Sequence, residues 1–257
     1  MSYKIVFFDI DGTLVDSNKK ISIETKNAIR RLKEQAIEVV LATGRAPFQF
    51  LDILEELEID SYISFTGSYV VYKGKLIYEQ CLEREILRKL ELSAAQTLHP
   101  LVFLNGKACY ANADEHPHIV ESFHYLQLER PSYDPDAGLE NDVHQLMLYC
   151  QDHESASYLS DFPEFRFIRW HEVAMDVLPN GASKARGVEL ILKEIGISPE
   201  EAIAFGDSLN DIEMLSYVGM GIAMENAHQE LFPHAKFITK SNNDQGISHG
   251  LKYAGVI

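Results

Sequence analysis

The chain has 257 residues, 46% of them hydrophobic and 24% charged, which is ample for one large folded unit or a core domain carrying a smaller one, with no sign of disorder. Its formal charge of −16, from 23 basic and 39 acidic residues, argues against an electrostatically driven nucleic-acid or anionic-membrane partner, since both need a basic face to displace counterions. An anionic ligand would need a local concentration of positive charge, from a metal ion or a few well-placed cations. Cys81, Cys109 and Cys150 are odd in number and form no CxxC pair, so reduced thiols are expected. Met1-Ser2-Tyr3-Lys4 passes into an apolar run without a signal-peptide pattern, and no stretch reaches transmembrane length, which makes a soluble, cytoplasmic protein the expectation.

In chain order, Lys4–Phe8 is a short apolar run that stops at Asp9-Ile10-Asp11-Gly12-Thr13, the pattern of a buried strand feeding a loop. Ser22 can cap a helix carrying Ala28, Ile29, Leu32 and Ala36, after which Glu38–Ala42 reads as a second strand ending at Thr43-Gly44-Arg45. Strand, helix and strand in that order predict a parallel crossover. A helix over Pro47–Leu57, a strand at Tyr62–Phe65 and a hairpin turning at Lys73-Gly74 follow. From about residue 82 the rhythm changes. A helix at Glu83–Leu98, a hairpin Leu101–Ala111 turning at Asn105-Gly106, a helix near Ile119–Leu126, a strand Val143–Cys150 and paired strands near Phe165–Trp170 and Ala174–Leu178 predict a separate α+β unit with an antiparallel sheet. After Gly181 the first pattern returns: a Ser183-capped helix closed by Gly196, a capping box at Ser198-Pro199-Glu200-Glu201, a strand Ala202–Phe205, a helix Asp211–Tyr217, and short strands Met220–Ala223 and Lys236–Ile238. The expected architecture is therefore α/β: a Rossmann-like parallel-sheet core, residues 1–81 and 182–257, with an α+β cap domain, 82–181, inserted into it.

Three core strands end in polar residues: Asp9 and Asp11, then Thr43 and Gly44, then Asp207 with Asn210 and Asp211. The carboxyl edge of an open α/β sheet is where ligands bind. Asp9 and Asp11, two apart in extended chain, can face one crevice, where they repel unless a cation or a proton lies between them. With Asp207 they offer hard oxygen donors suited to Mg²⁺. An EF-hand reading of the D-x-D-G string fails, because its sixth and twelfth positions would be Leu14 and Lys20 rather than Gly and Glu. Thr43 and Gly44 can offer a hydroxyl and a backbone N–H to phosphate oxygens. Lys184 stands in the first turn of its helix, where a cation opposes the macrodipole, so its position favours a role at the site over a structural one.

Taken together, Phe8-Asp9-Ile10-Asp11-Gly12-Thr13-Leu14, Ala42-Thr43-Gly44-Arg45, Ser183-Lys184 after Leu178-Pro179-Asn180-Gly181, and Gly206-Asp207-Ser208-Leu209-Asn210-Asp211 resemble the four motifs of the haloacid dehalogenase-like hydrolases, in their Cof-type sugar-phosphate phosphatase branch. Order and spacing agree along nearly the whole chain, and the branch carries its cap between the second and third motifs. The resemblance implies that Asp9 is the nucleophile and Asp11 the general acid and base. It implies Mg²⁺ held by the Asp9 carboxylate, the Asp11 backbone carbonyl and Asp207. Phosphate oxygens would be held by Lys184, Thr43, Asn210 and the backbone at Ile10 and Gly44, with Asp211 in support. The substrate it implies is a small phosphate ester, probed through a cap that closes over the leaving group. One departure is Thr66-Gly67, where relatives often carry Asn-Gly. A phosphomutase, which would need a phosphorylated activator, and a silent phosphate-binding protein, against which the intact Asp9–Asp11 pair speaks, are the alternatives.

Overall fold

The computed structural model describes residues 2–257. The first strands and helices are β1 (Ile5–Phe8), α1 (Ile23–Glu34), β2 (Glu38–Ala42), α2 (Leu51–Leu57), β3 (Tyr62–Ser64), β4 (Tyr69–Tyr72) and β5 (Lys75–Glu79). Then come α3 (Arg84–Gln96), β6 (Leu101–Leu104), β7 (Cys109–Ala111), α4 (Pro117–Leu126), β8 (Ser132–Tyr133), α5 (Ala137–Glu140), β9 (Gln145–Leu148), α6 (Ala156–Asp161), β10 (Phe165–His171) and β11 (Ala174–Pro179). The chain ends with α7 (Lys184–Ile195), β12 (Ala202–Gly206), α8 (Ile212–Tyr217), β13 (Met220–Ala223), β14 (Phe237–Ile238) and α9 (Gly246–Tyr253). Two compact units result. One holds the chain up to Gly44, Asp52–Glu79 and Ser183–Ile257; the other holds Arg45–Leu51 and Gln80–Ala182.

The first unit is built on a sheet of order β14-β13-β12-β1-β2-β3-β4-β5, parallel from β14 to β3 with β4 and β5 added antiparallel at one edge. All four residues of β1 are buried, as a strand covered on both faces requires. On one face Ile5, Phe7, Val40, Ala42 and Ile63 pack with Val188, Ile191 and Leu192 of α7 and Met214 and Leu215 of α8. The three α7 residues recur at i, i+3 and i+4, which aligns them along one stripe. Strand order runs outward from β1 in both directions, so the crevice beside β1 and β12 is the topological switch point of the sheet. Phe8 lies level with Leu41 and Phe205, and the residues that follow these three positions therefore emerge side by side at the carboxyl edge.

The second unit carries a six-stranded sheet of order β10-β11-β9-β6-β7-β8, antiparallel except where β7 pairs β8. Leu146, Leu148, Phe103, Met175 and Val177 from its strands close on Leu87, Leu90 and Ala94 of α3 and Tyr158 of α6. Two expected helices differ in their starts. The one predicted over Pro47–Leu57 is broken: Pro47–Gln49 forms its own turn, in which the Gln49 side chain accepts the Ala46 N–H at 2.9 Å, and Phe50 leaves helical geometry at φ −145° before α2 begins. The other begins at Ile212 after a separate turn at Leu209–Asp211.

Candidate active site

Asp9 follows β1, its N–H donating to Phe205 O of β12 at 3.1 Å, and the residue is only 4% exposed. Burying a carboxylate is costly unless a counter-charge goes with it. That partner is Lys184, which comes from the start of α7. Its Nζ donates to Asp9 Oδ1 at 2.6 Å and to Asp211 Oδ1 at 2.7 Å, and the residue is 1% exposed. Ser183 positions it by capping α7 through the Arg186 N–H at 3.1 Å. Burial alone would lower the lysine pKa; the Asp211 and Asp9 carboxylates outweigh it and hold the ammonium charged well above its usual range.

Asp211 is fully buried, and both its oxygens are spoken for. Oδ1 takes the lysine, while Oδ2 accepts the N–H groups of Asp207 and Ser208, each at 3.0 Å. It thus fixes the loop that presents Asp207. Thr13 Oγ1 donates to Asp207 Oδ1 at 2.8 Å, a contact the sequence reading did not assign. Gly12, at φ +74°, lies so close that a Cβ there would fall 2.2 Å from Asp207 Oδ2, so the D-x-D-G glycine is required both by its backbone conformation and by the carboxylate beside it. Asn226 Nδ2, also unassigned from sequence, donates to the Gly12 carbonyl at 2.8 Å. A lone hydrogen bond of this kind leaves no periodic trace in a sequence.

Thr43 is buried at the end of β2, with its N–H on Ile63 O at 2.9 Å and its carbonyl accepting the Thr66 N–H at 3.1 Å. A Cβ on Gly44 would meet Thr66 Oγ1 at 3.3 Å and Asn210 Nδ2 at 3.9 Å, so the second and fourth motifs converge and Thr66 joins them. The buried Asn210 Oδ1 has no hydrogen-bond partner. Asp11 is placed differently from Asp9. Its side chain is 42% exposed and paired with Lys19 Nζ at 2.6 Å. Ile10, between the two aspartates, is fully buried.

Ligand oxygens of Asp9, Asp207 and Asp211 all lie within 4.8 Å of one another. Burial foremost, and then the Asp211 and Asp207 charges, push the Asp9 carboxyl well above its ordinary value against the pull of Lys184. Burial and Asp211 push Asp207 up to about 6. Two carboxylates this close repel each other unless a proton or a cation lies between them. An all-oxygen donor set short of positive charge fits a divalent ion such as Mg²⁺. Asp211, with both oxygens engaged, is suited to holding the others in place.

The profile of the haloacid dehalogenase-like hydrolase family matches residues 6–251. A Bacillus subtilis protein named "Putative phosphatase YkrA" is 40% identical over 257 residues, covering 100% of both chains. The crystal structure of a hypothetical protein from Geobacillus kaustophilus superposes with a TM-score of 0.94 at 46% identity, covering 100% of both chains. BT4131, described as a subclass IIB sugar phosphatase of the same superfamily, superposes with a TM-score of 0.88 at 27% identity over 99% of this chain and 100% of its own.

Proposed function

Because the chain belongs to the haloacid dehalogenase-like hydrolases, in their Cof-type branch, we propose that it hydrolyses small organic phosphate monoesters, sugar phosphates among them, through a phosphoryl group carried on Asp9. The observation that carries this reading is the buried Asp9 carboxylate held by Lys184 at the switch point of the sheet, just after β1 as Thr43 is just after β2, and beside Asp207.

In this reading an Asp9 oxygen attacks phosphorus in line and the phosphorus–oxygen bond to the alcohol breaks. Asp11 gives the departing oxygen its proton. The same carboxylate then takes a proton from water as that water attacks phosphorus and breaks the bond to Asp9, which returns both groups to their starting states. Lys184 holds the nucleophile's orientation, since one carboxylate oxygen is pinned by the ammonium, and its charge together with Thr43, Asn210 and the backbone at Ile10 and Gly44 faces the phosphate oxygens. Positioned charge of this kind supplies most of what phosphoryl transfer needs. Mg²⁺ would be held by Asp9, Asp207 and the Asp11 carbonyl, where it supplies neutralisation of the phosphate and carboxylate charge. BT4131 is a sugar phosphatase by its description, and that supports a sugar phosphate as the substrate class.

The test is hydrolysis of p-nitrophenyl phosphate with Mg²⁺, with EDTA and by Asp9→Asn, followed by a panel of small phosphate esters. Metal-dependent turnover that Asp9→Asn abolishes is the expected result. No turnover of any ester by folded, Mg²⁺-supplied protein would overturn the hydrolase reading in favour of a mutase or a silent binder.

A further inference from the structure

The two aspartates of the D-x-D-G turn each have a lysine, and the lysines differ in burial. Lys184 is 1% exposed on Asp9, whereas the Lys19 and Asp11 side chains are 34% and 42% exposed. The loop bearing Lys19 is tightly built. Asp16 Oδ1 accepts the N–H groups of Asn18 and Lys20 at 2.8 and 2.9 Å, Asp16 N donates to Lys20 O at 2.9 Å, and Lys19 N donates to Asp16 O at 3.0 Å. Asn243 and Asn242 tie the loop from outside, accepting the Ser17 N–H at 3.1 Å and donating to Val15 O at 2.8 Å. Lys19 itself is held at φ 59°, a conformation uncommon outside glycine. This framework delivers Nζ to Asp11 Oδ1 at 2.6 Å.

We infer that Lys19 is a positioning residue for Asp11, confining a partly exposed carboxyl group to the mouth of the site, where it meets the departing oxygen of the ester. This rests on the phosphatase reading and on Asp11 as its acid and base. A group as exposed as Asp11 samples several side-chain rotamers unless something holds it, and misplacement of a catalytic group by about 1 Å is costly in rate. An ion pair this exposed is also weak enough to open when the ester oxygen arrives. The buried Asp9–Lys184 pair has no such freedom.

The experiment compares Lys19→Met and Lys19→Arg with the unaltered enzyme through kcat/KM, which reports phosphoryl transfer to Asp9, on two esters. p-Nitrophenol departs with little need of a proton, whereas the alcohol of an alkyl phosphate such as glycerol phosphate needs one. Lys19→Met is expected to lower kcat/KM about tenfold on the alkyl ester, short of the hundredfold or more that general acid–base catalysis contributes. On the aryl ester it should change less than about twofold, and Lys19→Arg should restore the alkyl value. Equal losses on both esters, or no loss on either, would overturn the role of Lys19 alone. An unaltered enzyme that turns over neither ester would overturn the reading beneath it.

Discussion

Thr66 lies in the left-handed region of backbone space, φ 51° and ψ 36°, between Phe65 at φ 47° and Gly67 at φ 100°. Such a run bends the chain sharply after β3. The bend brings Gly67 so near α7 that a Cβ there would fall 2.0 Å from Ser183 O, and it places Thr66 Oγ1 beside Gly44. A β-branched residue is poorly suited to this conformation, which asparagine tolerates far better. The departure from Asn noticed in the sequence therefore has a physical cost, held in place by the surrounding site. Thr66→Asn is expected to stabilise the protein by about 1 kcal/mol, raising the melting midpoint by roughly 2–4 °C; an unchanged or lower midpoint would mean that the Thr66 contacts outweigh the strain.

Among elements, the sheet of the second unit contains a carboxyl group unlike the others. Asp176 on β11 accepts the Trp170 Nε1–H of β10 at 2.9 Å, and a hydrogen bond from Gln145 of β9 also reaches it. Burial nevertheless dominates and raises its pKa from 3.8 to about 7. Between these two values the folded chain keeps a proton that the unfolded chain has released, so stability is highest at the acid end and declines as pH rises towards 7. Trp170 is the sole tryptophan, and its emission is expected to titrate with a midpoint near 7. Tyr149 is near Asp176 and the His171 ring lies 5.9 Å from that of Trp170, and Asp176→Asn, which keeps an acceptor for the indole, separates their effects from that of Asp176 by removing the transition. A transition that survives the substitution would contradict the assignment.

The same sheet marks how far elements could be read in advance. Strands that are short apolar runs, such as β1 and β6, and helices with an apolar stripe and a cap, such as α1 and α7, are legible from local sequence. The two-residue β8, the four-residue α5 and the six-residue α6 are not, because such short segments span too few turns or alternations to declare a period. The break at Phe50 has another cause: the Gln49 side chain accepts the Ala46 N–H, a local hydrogen bond that competes with helical continuation.

For the whole molecule, the informative fact is convergence. Asp9, Thr43, Lys184, Asp207 and Asp211 are spread along the chain yet meet within one carboxyl edge, and the polar ends of three separate strands already pointed there. Which lysine serves which aspartate was not legible, since pairing depends on side-chain reach across loops. Thr13, Asn226 and Lys19 act through single contacts of the same kind. Among the described residues no helix is long and apolar enough to cross a membrane, and with a formal charge of −16 the burial of Lys184 beside two carboxylates gives this site a cation that the molecule otherwise lacks in surplus.

The measurement that tests the account most directly is capture of the phosphoenzyme. The enzyme is mixed with a rapidly hydrolysed phosphate ester and Mg²⁺, quenched in acid within the first turnover, digested and examined by mass spectrometry. The peptide containing Asp9, and no other, is expected to gain the mass of one phosphoryl group, and Asp11→Asn, which removes the base for the second step, to increase the fraction trapped. Product released at full rate with no phosphoryl group on Asp9 at any quench time would contradict the account.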